Sequence, residues 1–441
     1  MSNPSRSAQR VARDATAGPP AAQPAAAENA ASAAPGPPGP IATLTVTSLY
    51  PSTAQPRHGI FTEHRIGHLV ATGRVRTTVV SPVPWAPPIL RRLPRYRGYA
   101  RTNATDQRRG LRVIYPRYLS VPKIGQNLAP LTMFRSLART VRQHVPTGSI
   151  DVIDAYYIYP DGVAAALLGR LLGKPVVLTA YGTDVNLMPR YRLPRRMIRW
   201  ACGRAAAVTT VCAALRDSLV ELGVDSDKIA VILHGVDLTL FQPSGERERH
   251  RRDLGFRRRT LLSVGHLIER KGHHIAIDAL AHLPDCELVI VGDGEMDGAL
   301  RRQVVERGLT DRVRFEGHVA QTELPRYFEA ADALVLASSR EGIANVLVES
   351  MACGTPVVAT DVWGARELVT EAVCGRLAPA RTPEAVADAV DGLFAAYPDR
   401  AAVRRFAERF TWSDTAARHL AVLEGVTGSA PASEGVLSPP G

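Results

Sequence analysis

Glu341 and Glu349 stand eight positions apart in the run R-E-G-I-A-N-V-L-V-E-S-M-A-C-G, Arg340 to Gly354. Asn345 is a residue type suited to cap a helix, Val346 to Cys353 are helix-compatible, and Gly354 followed by Pro356 is a stop signal. The pattern predicts a helix capped by Asn345, with Glu349 one turn in on the face of the cap and Glu341 on the incoming loop. Gly342, Ile343, Ala344 and Asn345 would then bring backbone N–H groups to a helix start, where the dipole favours an anion. Amides for phosphate oxygens and carboxylates for hydroxyls are the chemistry that binds a phosphorylated sugar. Two glutamates flanking a capped helix are also what an ordinary solvated first turn looks like. The apolar context favours the site: Ala333 to Ala337 and Pro356 to Ala359 read as buried strands on either side.

The elements that must position these residues alternate strand and helix. Thr260 to Val264 is a predicted strand leading into G-H-L-I-E-R-K-G-H-H, Gly265 to His274. Glu287 to Val291 runs into the tight turn G-D-G-E from Gly292, which lacks the Gly-Lys-Ser/Thr of an ATPase phosphate loop. Arg312 to Glu316 is the next strand, with Gly317, His318 and Val319 at its end. The first half repeats the pattern. Ile41 opens a β-branched, alternating strand that passes through a Pro-rich loop to Gly59, just before an amphipathic helix from Ile60 to Ala71. Strand, loop, glycine and helix is how a phosphate-approaching turn is made, and Arg57, His58 and Glu63 flank it. Asp151 to Ala155 and Pro175 to Thr179 are further strands, the second ending in A-Y-G-T-D-V-N. Ala207 to Val211 and Ile229 to Leu233 close that sheet, and Pro82 to Pro122 reads as a long irregular segment.

The run from Glu341 to Thr360 resembles the signature of the family 4 retaining glycosyltransferases. The resemblance implies an α/β fold of two Rossmann-like, doubly wound domains facing a cleft, the GT-B architecture. It spans Leu44 to about Leu423 and is most specific at Glu341 to Gly354, then at Lys271 and Gly272. It implies a nucleotide-diphosphate sugar as co-substrate and no metal or further cofactor. Lys271 matches the family lysine that grips the donor diphosphate, while the family arginine position holds His266. Histidine offers no bidentate fork, so Arg270 is expected to supply the charge. By the same resemblance Glu341 holds donor-sugar hydroxyls and Glu349 the ribose hydroxyls. Gly59 and Gly292 lie beside the donor, and His318 and Val319 meet the base through backbone. Tyr181, standing where the family often has histidine, falls on the acceptor side with Gly182, Asp184 and His58. H-G-V-D-L-T-L-F-Q-P, His234 to Pro243, resembles the interdomain segment. Y-P-S-T-A-Q-P-R-H-G-I-F-T-E-H with Y-G-T-D-V-N looks most like enzymes of cell-surface polysaccharide assembly, such as teichuronic acid glycosyltransferases.

The expected organisation is a disordered Ala/Pro-rich tail over 1–40, an acceptor-binding domain over 41–243 and a donor-binding domain over 244–410. A last helix over 411–427, opening with T-W-S-D, crosses back to the first domain, and 428–441 is a second tail. With 441 residues, 45% of them hydrophobic and 22% charged, the composition is that of a soluble globular protein. Five widely spaced cysteines without Cys-x-x-Cys point to core packing in a reducing cytosol, and no apolar run reaches a membrane span or a signal core. The net charge of +12 admits anionic partners: nucleotide phosphate, anionic lipid or nucleic acid. Arg91 to Arg117 holds nine arginines with interleaved tyrosines, and Arg190 to Arg204 is a basic helix without an acid. Both are candidates for an anionic membrane surface at the cytoplasmic face, and both fit a solvated face equally well. The acceptor is expected to be a glycan, a lipid-linked or a small-molecule hydroxyl. Two other readings compete: a nucleotide-sugar 2-epimerase of the same architecture, and a basic nucleic-acid or lipid binder with a degenerate site. Charges placed at strand ends disfavour the last, so no nucleic-acid partner is expected.

Overall fold

The computed structural model describes residues 39–85, 99–120 and 125–429. Most of the two expected tails, and the parts of the basic segment at 86–98 and 121–124, lie outside the described residues. Ten strands belong to the first half: β1 Ile41–Val46, β2 Val75–Val80, β3 Val83–Trp85, β4 Thr105–Arg108, β5 Leu111–Ile114, β6 Arg117–Leu119, β7 Val152–Tyr156, β8 Val176–Ala180, β9 Ala207–Thr210 and β10 Ile229–Val231. Eight of them form one sheet in the order β10-β9-β8-β7-β1-β2-β5-β4, parallel except where β4 pairs with β5. The second half holds β11 Arg259–Val264, β12 Cys286–Val291, β13 Val313–Gly317, β14 Ala333–Leu336, β15 Val357–Thr360 and β16 Gly375–Ala378. They form an all-parallel sheet in the order β13-β12-β11-β14-β15-β16. Counted from β11 this is the doubly wound order 3-2-1-4-5-6, and its switch point lies between β11 and β14. In the first sheet the order reverses between β1 and β7. The near-continuous apolar runs follow from that topology: β1, β7, β8, β12, β14 and β15 are buried along their whole length, as strands covered on both faces must be.

Two stretches depart from the sequence reading. The irregular segment contains β3 to β6, and β4 and β5 form a hairpin whose tip, Arg109 and Gly110, has φ of 48° and 76°. Positive φ at both central positions suits the twist of a two-residue hairpin, but arginine is an unusual occupant of the first, so composition hid the turn. The helix Gly125–His144 carried no expectation, because Pro130 and scattered polar residues mask its period. Met133, Leu137 and Val141, spaced by four, form the buried stripe that seats it.

The helix Trp412–Thr427, capped by Thr411 accepting from the Asp414 amide, packs against the helix Ile60–Ala71 and against β1 and β7. A buried polar chain fastens it there. Arg65 Nη2 donates to His419 Nδ1 at 2.9 Å, and His419 Nε2 donates to Asp154 Oδ2 at 3.1 Å, where Tyr156 Oη also donates at 2.7 Å. All four side chains are enclosed, so losing one partner would strand the others' polar atoms.

Candidate active site

The loops at the two switch points open onto one cavity of about 280 Å³. That is just below the roughly 300 Å³ at which the range for ligand pockets begins. The loop after β11 contributes Arg270 and Lys271, and the segment after β14 contributes Arg340, Glu341, Gly342, Ile343 and Asn345. From the first half come Gly59, Phe61 and Thr62 after β1, Tyr181, Gly182 and Asn186 after β8, and His234 beyond β10.

Glu341 is buried and gathers the cations. Its carboxylate accepts from Lys271 Nζ at 2.8 Å and Ser338 Oγ at 2.7 Å, and pairs with Arg270 Nη1 at 3.0 Å. Arg270 Nη1 donates to the Arg340 carbonyl as well. Burial opposes ionisation of Glu341, but Lys271 and then Arg270 more than offset it, holding the carboxyl below its ordinary value. The helix Asn345–Ala352 starts one residue earlier than its capping pattern implies. Ala344 is its N-cap, with φ −97° and ψ 81°, and no side chain accepts from the first turn. Ala344 is anchored in the second core, so it fixes the entry of the helix and offers only its backbone. Asn345 becomes the first helical residue and turns its side chain into the cavity. The amides of Gly342, Ile343, Ala344 and Asn345 have no hydrogen-bond partner among the described residues.

The halves touch at Gly342. A Cβ there would lie 2.0 Å from the Tyr181 carbonyl oxygen, and one on Gly182 would meet Gly342 Cα at 3.5 Å. Only a residue without a side chain lets the β14 loop lie on the β8 strand end.

Other expected residues fall elsewhere. Glu349 lines a narrow crevice beside the cavity, sharing Phe61 and Asn345 with it, so Lys271 and Glu349 open onto adjoining spaces. Burial raises its carboxyl to about 7, partly countered by Lys271. His266 stands at the rim with 74% of its side chain exposed, Nδ1 3.3 Å from the Asp293 carbonyl oxygen. Arg57 crosses the cleft mouth to His318 Nδ1 at 2.7 Å and Asp293 Oδ2 at 3.3 Å. Val319 is half-buried against the second core, and Gly292 is pressed on the Gly265 carbonyl, where a Cβ would sit 1.9 Å away. None of these four lines the cavity.

Two expected acceptor-side contacts are corrected. Asp184 is fully buried, and its carboxylate accepts from the amides of Gly182 at 2.7 Å, Ile158 at 2.8 Å and Tyr181 at 3.2 Å. It holds the strand-end loop in shape, the Asx-type role that an acid two residues after a glycine turn plays. His58 does not line the cavity: its Nε2 lies 3.2 Å from the Ser48 carbonyl oxygen, and burial lowers its pKa. Phe61, Thr62, Asn186, His234 and Arg340 are among the cavity residues that carried no site expectation, with Leu49 and Thr183. Asn186 closes the Y-G-T-D-V-N run and His234 opens H-G-V-D, so the available signal was their place at a strand end. His273, in the β11 loop, was also passed over. It accepts from Ser263 Oγ at Nδ1 and reaches the His266 carbonyl through Nε2, tying the loop to its strand. Burial drives its pKa down to about 4, so the imidazole is neutral.

Residues 74–240 match the family described as Glycosyltransferase Family 4, and residues 246–410 the one described as Glycosyl transferases group 1. The "Putative teichuronic acid biosynthesis glycosyltransferase TuaC" of Bacillus subtilis (strain 168) is 32% identical over 339 residues, 74% of this chain and 82% of that protein. A D-inositol 3-phosphate glycosyltransferase of Paenarthrobacter aurescens (strain TC1) is 32% identical over 293 residues, 61% of this chain and 71% of that one. Among solved structures, Anabaena Alr3699/HepE in complex with UDP superposes with a TM-score of 0.66 at 24% identity, covering 88% of this chain and 100% of the other.

Proposed function

This chain belongs to glycosyltransferase family 4 and has the GT-B fold, and from that premise we propose that it transfers a sugar, with retained anomeric configuration, from a nucleotide-diphosphate donor to a hydroxyl acceptor in polysaccharide or glycolipid assembly. In this reading 41–243 forms the acceptor side, 244–410 the donor side, and the helix over 411–427 returns to the first domain. The observation that carries it is the cluster of Lys271 and Arg270 on Glu341 beside unpartnered amides at a helix start. An entering diphosphate exchanges places with Glu341. Lys271, Arg270 and the amides then neutralise the leaving group as the anomeric C–O bond breaks, and the released carboxylate accepts from donor-sugar hydroxyls. Arg340, which has no ion-pair partner among the described residues, adds a third positive charge to the wall. Glu349 in its crevice receives the ribose hydroxyls. His266, Gly292, His318 and Val319 at the rim border the base, with Gly59 near the phosphates.

The same fold holds UDP and UDP-glucose in Anabaena Alr3699/HepE, so uridine donors head the screen. Teichuronic acid and inositol phosphate chemistry in the relatives' names points to cell-surface acceptors. The helix Arg192–Arg204 exposes Arg192, Arg195, Arg196 and Arg199 beside Leu193 and Tyr191, while Ile198, Ala201 and Cys202 face the core. Such a face supports docking of a cytoplasmic enzyme on an anionic membrane surface. Among the described residues no helix is long and apolar enough to cross a membrane.

Thermal-shift screening with UDP- and GDP-sugars tests the donor assignment, because a ligand at 100 times its Kd adds about 2.7 kcal/mol to the folded state. A raised midpoint, followed by a product whose anomeric proton keeps the donor's configuration by NMR, is the expected result. No shift with any diphosphate sugar would remove the reading, and conversion of donor without acceptor into an epimer would replace it. Sedimentation with phosphatidylglycerol vesicles but not phosphatidylcholine vesicles is expected for the membrane surface; equal recovery with both would discard that part.

A further inference from the structure

Three polar side chains on the first-half wall of the cavity lack partners. Tyr181 Oη, Asn186 Oδ1 and both ring nitrogens of His234 are enclosed, and none makes a hydrogen bond among the described residues. Buried polar atoms are nearly always satisfied, and leaving one empty costs about 1–3 kcal/mol, so such a cluster marks a place where a ligand completes the bonding. His234 is the most telling member, at 6% exposure. Its ring is gripped by Phe61, Tyr181 and Trp412 at centroid distances of 6.3, 5.4 and 5.7 Å. Gly235 behind it is wedged on the Trp412 amide, where a Cβ would come within 2.2 Å. The imidazole therefore cannot turn away to find another partner. Asn345 lies beside the ring and Thr62 beside Tyr181 Oη, but neither contact has hydrogen-bond geometry.

Resting on the nucleotide-sugar reading, we propose that His234, Asn186 and Tyr181 form a subsite for the hydroxyls of an uncharged sugar ring or polyol. The chemistry fits that ligand and excludes a charged one. No Lys, Arg, Asp or Glu of the first half lines this wall. His234 is neutral, since burial and then Arg65 push its pKa down to about 3, so it presents one N–H donor and one bare nitrogen acceptor. Asn186 Oδ1 accepts, and Tyr181 Oη donates or accepts. Donors and acceptors on one wall match adjacent hydroxyls, each of which both gives and takes a hydrogen bond. The acceptor phosphate named for the inositol 3-phosphate relatives has no counter-charge here. A sugar ring reaching this wall comes either from the donor or from the acceptor.

The test compares the full-length protein with His234→Phe, Asn186→Leu and Tyr181→Phe. Calorimetry gives affinities for UDP and UDP-glucose, and for GDP and GDP-mannose. Initial rates use methyl glucoside and myo-inositol as neutral acceptor probes and inositol phosphate as a charged one. Affinity for the free nucleoside diphosphate is expected to stay within about twofold. If the hydroxyls are the donor's, the variants lose about tenfold of the preference for nucleotide sugar over free nucleotide; if they are the acceptor's, KM for the neutral probes rises about tenfold with kcat nearly kept. Melting midpoints should hold or rise in His234→Phe, because an unsatisfied buried group is removed. Unchanged preference together with unchanged KM overturns the subsite, as does a fall of several degrees in the midpoint or better use of the charged probe by the wild type. Failure of the wild type to bind either nucleoside diphosphate would sink the donor assignment first, a result separable from all of these.

Discussion

On one wall of the cavity Lys271 and Arg270 are bonded to Glu341, with Ser338 bonded to it from behind; on the facing wall Tyr181 Oη, Asn186 Oδ1 and the His234 ring nitrogens have no hydrogen-bond partner among the described residues. The charged wall stores its interactions internally and must exchange them to bind, so its ligand has to offer more than Glu341 does. A diphosphate does. The neutral wall has nothing to give up, and a single added hydroxyl improves it. Anion selection and sugar selection are thereby separated between the two halves, and they meet where Gly342 lies on the Tyr181 carbonyl.

The contrast breaks most completely at Lys271. Lys271→Ala should lower kcat by about 10²–10³, the usual effect of losing one group that stabilises transition-state charge. It should also lower the melting midpoint, since Glu341 stays buried with one cation fewer. Single-turnover rates and a thermal scan check both parts. Gly342→Ala comes next: its Cβ would overlap the Tyr181 oxygen and push the walls apart. A loss of at least about tenfold in kcat/KM is expected, because small displacements of positioned groups are costly, with the melting midpoint nearly kept.

Glu349→Gln sharpens the comparison by pH. Glu349 sits near 7 in the folded state against an ordinary 4.5, so across that window the folded protein keeps a proton that the unfolded chain has released. Stability contributed by this residue therefore falls as pH rises from 4.5 to 7 and stays lower above. The glutamine variant should melt about 2–4 °C higher than wild type at pH 8 and level with it below pH 4.5, while its donor affinity drops. The smallest effect belongs to Arg57→Ala, whose contacts with Asp293 and His318 are exposed on both sides. Less than a twofold change in kcat/KM at physiological salt is expected.

The buried strands at the switch points were legible because parallel strands covered on both faces read as short apolar runs, and β1, β8, β12 and β14 sit within a residue or two of where those runs fall. Glu341 stood out for a related reason, lying just past such a run, where open α/β sheets put their ligands, whereas Lys271 and Arg270 stood out only through resemblance to the family motif that follows the first strand of the second half. The hairpin β4–β5 was not, since Arg109 holds a turn position that composition assigns to glycine or asparagine. Asp184 illustrates a different failure. An acid beside a glycine at a strand end reads as a ligand contact, and only coordinates reveal that three backbone amides claim it. His234 fails in the opposite direction: nothing local separates a hinge histidine from a cavity one until the helix Trp412–Thr427, nearly two hundred positions later, closes over it.

The exchange of Glu341 for a diphosphate is tested most directly by the affinity of Glu341→Gln for free nucleoside diphosphate, taking whichever of UDP and GDP the wild type binds more tightly. Removing the carboxylate frees Lys271 and Arg270 and takes away a negative charge beside the phosphates, so the variant should bind that nucleotide about three- to thirtyfold more tightly while losing sugar transfer. Equal or weaker nucleotide binding by the variant would contradict the account, because Glu341 would then not be the group that the diphosphate displaces.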